Sequence, residues 1–288
     1  MTFSIVAVDR ERKEVGFAIS SCFWNAGQVG FAKMETGAIV SQAQGNMEFI
    51  PVFFEKLEDG MSVEEILEIF KNMDDKIENR QVGMIAFRGN ALAFTGSKVS
   101  SSFQKIGTDY ACQGNILVGK EVIDNIAKAF EESEGSLADR LYTALQAGDD
   151  AGGDMRGKIS ARVYVERDRK NPLTHVTTDF NVEEHPEPVR EIGRLLALRK
   201  SIITAWELTE VVSKTNGKEK DDAMIALAQF LEDKRDRVFL DFFSSLAEAY
   251  LEVGDREKAI ATFKIVVEIS PRMATTLDDY AIKDEVLS

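Results

Sequence analysis

Short β-branched runs that pair off through charged or glycine-bearing turns constrain this chain more than any other feature. Residues 2–9 read TFSIVAVD and residues 14–22 read EVGFAISSC, and the four charged residues Arg10 to Lys13 between them form a hairpin turn. Runs over 29–34 and 37–44, bounded by Gly27, Gly30, Gly37 and Gly45, are further strands expected to pack closely on a neighbouring layer. Residues 82–87 and 91–95 form a second hairpin around Arg88-Gly89-Asn90, in which Gly89 and Asn90 tolerate a positive φ. Segments 160–166 and 175–182 alternate again.

Helical periodicity lies between these pairs rather than between single strands. Ser62-Val63-Glu64-Glu65 is a capping box, and Val63, Ile66, Leu67, Phe70 and Met73 then recur at helical spacing. Residues 122–132, 136–146 (capped by Ser136 with Asp139) and 189–198 are the other helices of this half. Paired strands with helices set apart from them imply an α+β fold, not an alternating parallel sheet.

Past about Lys200 the strand signal stops. Residues 201–287 carry helical spacing and a single proline, Pro271, so the chain is expected to hold two domains, 1–199 and 200–288. Phe243, Leu246, Tyr250, Gly254, Ala259, Phe263 and Pro271 fall at the spacing of a tetratricopeptide repeat. About three such repeats are needed for an independent solenoid, so one repeat is expected to pack on the first domain or on another subunit. Phe239, Phe242 and Phe243 suit either core packing or a subunit contact, and a homo-oligomer is expected.

Charge and cysteine content narrow the function. Forty-nine acidic against 35 basic side chains give a net charge of −14, which repels phosphate backbones and anionic lipid surfaces, and basic residues cluster nowhere without interleaved acids. Nucleic acid and membrane are therefore not expected as partners. No run approaches the ~20 apolar residues that span a bilayer, and Met1-Thr2-Phe3-Ser4 lacks the basic-then-apolar pattern of a signal peptide. Cys22 and Cys112 match neither zinc-ligand spacing nor a disulfide framework, which fits a reducing cytoplasm.

Four places have the residue types for chemistry. Residues 147–157 hold four glycines and three aspartates, expected as a loop between helix and strand that lets backbone approach a ligand. Asp149, Asp150 and Asp154 offer hard oxygen ligands, but neither the calcium-loop nor the phosphate-loop spacing is present; the alternative is that Asp154 pairs with Arg156 or caps local amides. No metal or other cofactor is expected. His175 and His185 signal neither a metal pair nor a serine triad, and Cys112 has no histidine partner nearby, so all three read as structural. Thr2 differs. With Met1 removed it would carry a hydroxyl and a free α-amine of pKa roughly 8 in one residue, nucleophile and base together.

The runs TFSIVAVD, GFAISSCF from Gly16, SQAQGN from Ser41, ENRQVGMIAFRGNALAFTG from Glu78, CQGNILVG from Cys112, AGDDAGGDMRGKISA from Ala147 and EEHPEPVREIGRLLAL from Glu183 stand in one order over roughly residues 2–198. Together they resemble the domain-of-unknown-function family numbered one thousand and twenty-eight. The resemblance implies a four-layer αββα sandwich of the N-terminal nucleophile hydrolase type, with Thr2 matching the family's first threonine. Two positions depart from the family pattern. Glu48-Phe49-Ile50-Pro51 stands where a tyrosine-glycine pair is typical, and a histidine common in the segment after Gly96 is missing from 97–105. No role for that histidine carries over.

The reading that follows is an amidohydrolase cleaving a C–N bond in a small or peptide-like substrate. Thr2 attacks, Asn46 and Asn115, or backbone amides near Gly45 or Gly114, hold the oxyanion, and Gln42, Gln113, Asp154 and Arg156 bind substrate. Fold alone does not fix activity. The rival reading is a ligand-binding or scaffolding protein whose helical tail makes a dimer or recruits a partner, and a third is a metal-assisted enzyme built on the three aspartates.

Overall fold

The chain begins as the expected hairpin. β1 (Thr2–Asp9) pairs antiparallel with β2 (Glu14–Ser21), so that Asp9 lies opposite Glu14 at the turn and Thr2 opposite Ser21 at the open end. The computed structural model describes residues 2–167, 178–280 and 282–288, and the chain divides into two units, Met1–Leu196 and Ala197–Ser288. His175, with the first residues of the strand expected from 175, lies outside the described residues.

In the first unit the remaining elements are β3 (Gly30–Lys33), β4 (Gly37–Ala43), α1 (Phe49–Glu58), α2 (Val63–Met73), β5 (Arg80–Ala86), β6 (Ala91–Thr95), β7 (Phe103–Ile106), β8 (Tyr110–Asn115), α3 (Glu121–Glu132), α4 (Leu137–Asp150), β9 (Ser160–Arg167) and β10 (Thr178–Val182). α5 (Pro188–Lys214) begins in this unit and ends in the second. Two antiparallel sheets result, one in the order β10-β9-β2-β1-β8-β7 and one in the order β3-β4-β5-β6. The fold is thus mixed α+β with antiparallel sheets, followed by a helical C-terminal region.

Strand alternation sorts side chains onto opposite faces. On β1, Phe3, Ile5 and Ala7 join the α3 and α4 residues Ile123, Ile126, Phe130, Leu141 and Leu145 in one buried cluster. Val6 and Val8 turn the other way and meet Val15, Phe17, Val40, Ile85 and Phe87 in a second, between the two sheets. The far face of the smaller sheet, through Ile39, Val82 and Met84, buries a third cluster against Phe49, Phe53, Ile66 and Phe70. Phe49 and Phe70 stack at 4.1 Å between ring centres, tying α1 to α2.

Several elements differ from the sequence reading for physical reasons. α1 went unseen because Pro51 interrupts its pattern, yet Pro51 sits in the first turn, where a missing N–H costs no helical hydrogen bond. The capping box of α2 forms as read, with Ser62 Oγ accepting from Glu65 N at 3.2 Å and Glu65 Oε2 accepting from Ser62 N at 2.8 Å. The β5–β6 turn uses no positive φ at Gly89 or Asn90. α4 runs to Asp150, so the first four residues of the supposed loop over 147–157 are helical. Gly148 serves close packing instead: a Cβ there would fall 2.7 Å from Ile126 and 3.2 Å from the Phe3 ring. β7 and β8 were also not read as strands, because Gln104, Lys105, Gln113 and Asn115 break the apolar pattern.

The second unit holds α6 (Lys218–Leu231), α7 (Leu240–Glu252), α8 (Arg256–Ile269) and α9 (Lys283–Leu287). Phe239, Phe242, Phe243, Leu246, Tyr250, Ala259 and Phe263 are buried in one cluster, and Gly254 takes φ 82° in the turn from α7 to α8. No helix among the described residues is long and apolar enough to cross a membrane.

Candidate functional site

The space between the sheets changes character along the strands. On the inward faces the apolar series Val8, Val6 on β1, Phe17, Ile19 on β2, Val40 on β4, Ile85 on β5 and Ala111 on β8 gives way, at the same strand ends, to polar residues of the same parity. These are Thr2 and Ser4, Ser21, Gln42, Gln81, and Gln113 with Asn115. All are buried, at 8% exposure or less. A buried amide or hydroxyl without a partner costs roughly 1–3 kcal/mol, so these groups must satisfy one another.

They do so in a directional chain. Gln113 Nε2 donates to Ser4 Oγ at 2.6 Å, and Ser4 Oγ donates to Gln42 Oε1 at 2.7 Å. Gln42 Nε2 and Asn115 Nδ2 both donate to Gln81 Oε1, at 2.7 and 3.0 Å. Gln81 Nε2 donates onward to Gly114 O at 2.9 Å and Thr95 Oγ1 at 3.0 Å, and Thr95 donates to Gln104 Oε1 at 2.7 Å. Gln81 therefore fixes the orientation of two other carboxamides. Its role was missed in the sequence, although a glutamine on the inward face of an apolar strand was the available signal. Gln113 Oε1 has no hydrogen-bond partner among the described residues and lies against Gly83, where a Cβ would stand 2.2 Å from it.

Thr2 occupies the open end of this layer. Its neighbours across the ladder are Ser21 on β2 and Asn115 on β8, and its Oγ1 lies 3.1 Å from Ser21 Oγ. It opens onto a cleft of about 500 Å³ lined also by Phe23, Ala26, Gln28, Val29, Ser41, Gln42, Ala43, Gly45, Met47 and Arg156. Of the residues named from sequence, Thr2, Gln42 and Arg156 thus share one cleft. Asn115 flanks Thr2 but lines a neighbouring cavity of about 220 Å³, which shares Ala43. Gln113 is sealed beneath Gly83, and Gly114 lies within the ladder opposite Phe3 and Phe103.

Backbone strain gathers at the same strand ends. Ala43 takes φ 68° at the end of β4, and Ile116 takes φ 50° just after β8. A left-handed β-branched residue is a true outlier, and such residues cluster where a site is held in a set geometry.

Asn46 is engaged elsewhere. Its Nδ2 donates to Asp74 Oδ2 at 3.0 Å, its Oδ1 accepts from Glu48 N, and it does not line the cleft. Asp74 also accepts from Arg80 Nε at 2.8 Å and from Lys76 N at 2.9 Å, while Arg80 Nη1 donates to Gln44 O. Asp74 thus staples residues 44–46, and Gly45 with them, to the edge of the cleft. The Arg80 hydrogen bond, with those of Asn46 and the Lys76 amide, outweighs burial and holds the Asp74 carboxyl down at about 2.

Asp154 lies behind Arg156. Its Oδ2 accepts from Cys22 N at 3.1 Å and lies 3.5 Å from Arg156 Nη2, and its Oδ1 accepts from Arg156 N at 2.7 Å. Asp149 pairs instead with Lys158 at 2.6 Å, and burial pushes its carboxyl upward. Asp150 is exposed. Among the described residues no group of three or more His, Cys, Asp or Glu is arranged to hold a metal ion. Cys112 is buried, and desolvation pushes its thiol up to about 12, well away from a reactive thiolate. His185 Nδ1 accepts from Glu187 N at 3.0 Å, just ahead of α5.

Two outcomes follow. Gln81→Leu removes the shared acceptor of Gln42 and Asn115, leaving Gln42 Nε2 only its longer bonds to Thr2 O and Gln113 O, and is expected to cost about 1–3 kcal/mol, measured by urea unfolding. Because the folded pKa of Asp74 lies below its unfolded value of about 3.9, its stabilisation is complete above that value and is lost as pH falls toward about 2. Asp74→Asn should be less stable than wild type at pH 6 and should show a shallower loss of the urea midpoint between pH 5 and pH 2; parallel curves would refute the staple.

No curated protein matches the chain. The crystal structure of protein SPO2555 from Silicibacter pomeroyi, described by the same family model as below, is similar in fold, with TM-score 0.61 and 24% identity over 77% of this chain and 93% of that one. The model of the family of unknown function DUF1028 matches residues 2–192, the span that holds both sheets, the carboxamide chain and Thr2. The chain belongs to the DUF1028 family.

Proposed function

We propose that the chain is an amidohydrolase whose nucleophile is Thr2, carried on a four-layer sandwich of the N-terminal nucleophile hydrolase type. The observation that supports this reading is the position of Thr2, at the end of the first strand, with its hydroxyl against Ser21 and its side chain at a cleft of small-molecule size. The α7–α8 pair is read with it as a tetratricopeptide-like packing element for a homo-oligomer in the cytoplasm.

With Met1 removed, the Thr2 α-amine, of ordinary pKa about 8, accepts the hydroxyl proton as Oγ1 bonds to the substrate carbonyl carbon. The C–N bond then breaks, the leaving nitrogen takes that proton, and water cleaves the resulting ester by the same route. Asn115 keeps a second Nδ2–H beyond the one given to Gln81, which suits it to hold the oxyanion beside Thr2, as does the backbone of Gly45 at the cleft. Asn46 acts through the loop it fastens. The substrate-facing side chains in this reading are Gln42 and Arg156, with Asp154 positioning the arginine and Gln113 positioning Ser4 and Gln42.

Across a panel of small amides, Thr2→Ala should lower turnover at least about a thousandfold and Thr2→Ser should retain part of it, with thermal midpoints close to wild type. Undiminished turnover in Thr2→Ala would overturn the mechanism.

A further inference from the structure

The Thr2 cleft has two chemical poles. Among the described residues that line it, Arg156 is the only charged one. Its side chain is 49% exposed while that of Asp154, 3.5 Å away, is 1% exposed, so the arginine is the half of the pair that reaches the cleft. The arginine stands there as the exposed half of an ion pair, in a chain of net charge −14.

The second pole is apolar. Phe23 and Met47 line the cleft with Ala26, Val29 and Ala43, yet Phe23 is 55% and Met47 43% exposed. Trp24, next to Phe23 in the chain, and Met155, next to Arg156, are also exposed, at 58% and 53%. Large apolar side chains left open around a concave site that also holds an arginine suit a ligand with one apolar and one anionic end.

We propose that this cleft selects amides that carry a free carboxylate and an aromatic or bulky apolar group, with Arg156 recognising the carboxylate and Phe23 and Met47 the apolar group. The proposal rests on the Thr2 reading for where the bond is cut, but the binding it describes does not require turnover.

The test is a calorimetric titration of the full chain with 3-phenylpropionate, propionate and 3-phenylpropylamine. The expected result is saturable binding of 3-phenylpropionate at least tenfold tighter than of the other two. Phe23→Ala and Arg156→Gln should each weaken it at least fivefold, and Arg156→Lys should weaken it less than Arg156→Gln. Absence of saturable binding, equal affinity for the amine, or no effect of Phe23→Ala and Arg156→Gln would overturn the proposal. Turnover of Thr2→Ala is scored separately: if it is undiminished, the nucleophile reading fails while the titrations still decide the ligand class.

Discussion

Buried carboxamides between two sheets must satisfy one another, and the Gln81 side chain settles how they are arranged. Its one oxygen accepts from Gln42 and Asn115, and its nitrogen donates to Gly114 and Thr95, so all of its strong hydrogen-bonding capacity is spent. That fixes which end of the Gln42 amide faces Ser4 and which edge of Asn115 faces Gln81. Rotating Gln42 or Asn115 would set its oxygen against Gln81 Oε1, and rotating Gln81 would set its nitrogen against both of their nitrogens. The layer is consequently rigid where it meets the cleft, which is what a site needs from the scaffold beneath it.

The rest of the first unit supports that layer. Phe3, Ile5 and Ala7 anchor β1 on α3 and α4, leaving Thr2, Ser4, Val6 and Val8 to face the other sheet. Gly83 gives up its side chain to admit Gln113, and the Asp74–Arg80 pair fastens the 44–46 segment beside Thr2. Each of these residues is ordinary alone. Their effect comes from the antiparallel register that brings Thr2 between Ser21 and Asn115.

Much of this fold is legible in the sequence, and what is not legible is hidden for physical reasons. β1, β2, α2 and the β5–β6 hairpin follow from alternation, caps and turns, which are local signals. β7 and β8 escaped because their inward positions are polar, so the network that makes them interesting also erases their strand pattern. α1 was hidden by a proline whose position in the first turn makes it harmless. Asn46 and Asn115 look alike as Gly-Asn pairs in the sequence, and only the packing separates one that fastens a loop from one that flanks Thr2. Asp154 reads in the sequence as a ligand or as a partner of Arg156 and local amides, and it accepts from the Cys22 and Arg156 amides. The weight of Gln81 comes only from packing, which gathers Gln42 on β4, Thr95 on β6 and Asn115 on β8 of the facing sheet around it.

What distinguishes this cleft from a generic groove is that a hydroxyl at the start of a strand, a rigid amide layer behind it and a single arginine meet in one place. The central claim is that Thr2 acts with a free α-amine. It is tested most directly by the intact mass of the protein purified from its own host. The account predicts a chain that begins at Thr2; a chain that wholly retains Met1 would contradict it, because the amine that should accept the proton would be locked in a peptide bond.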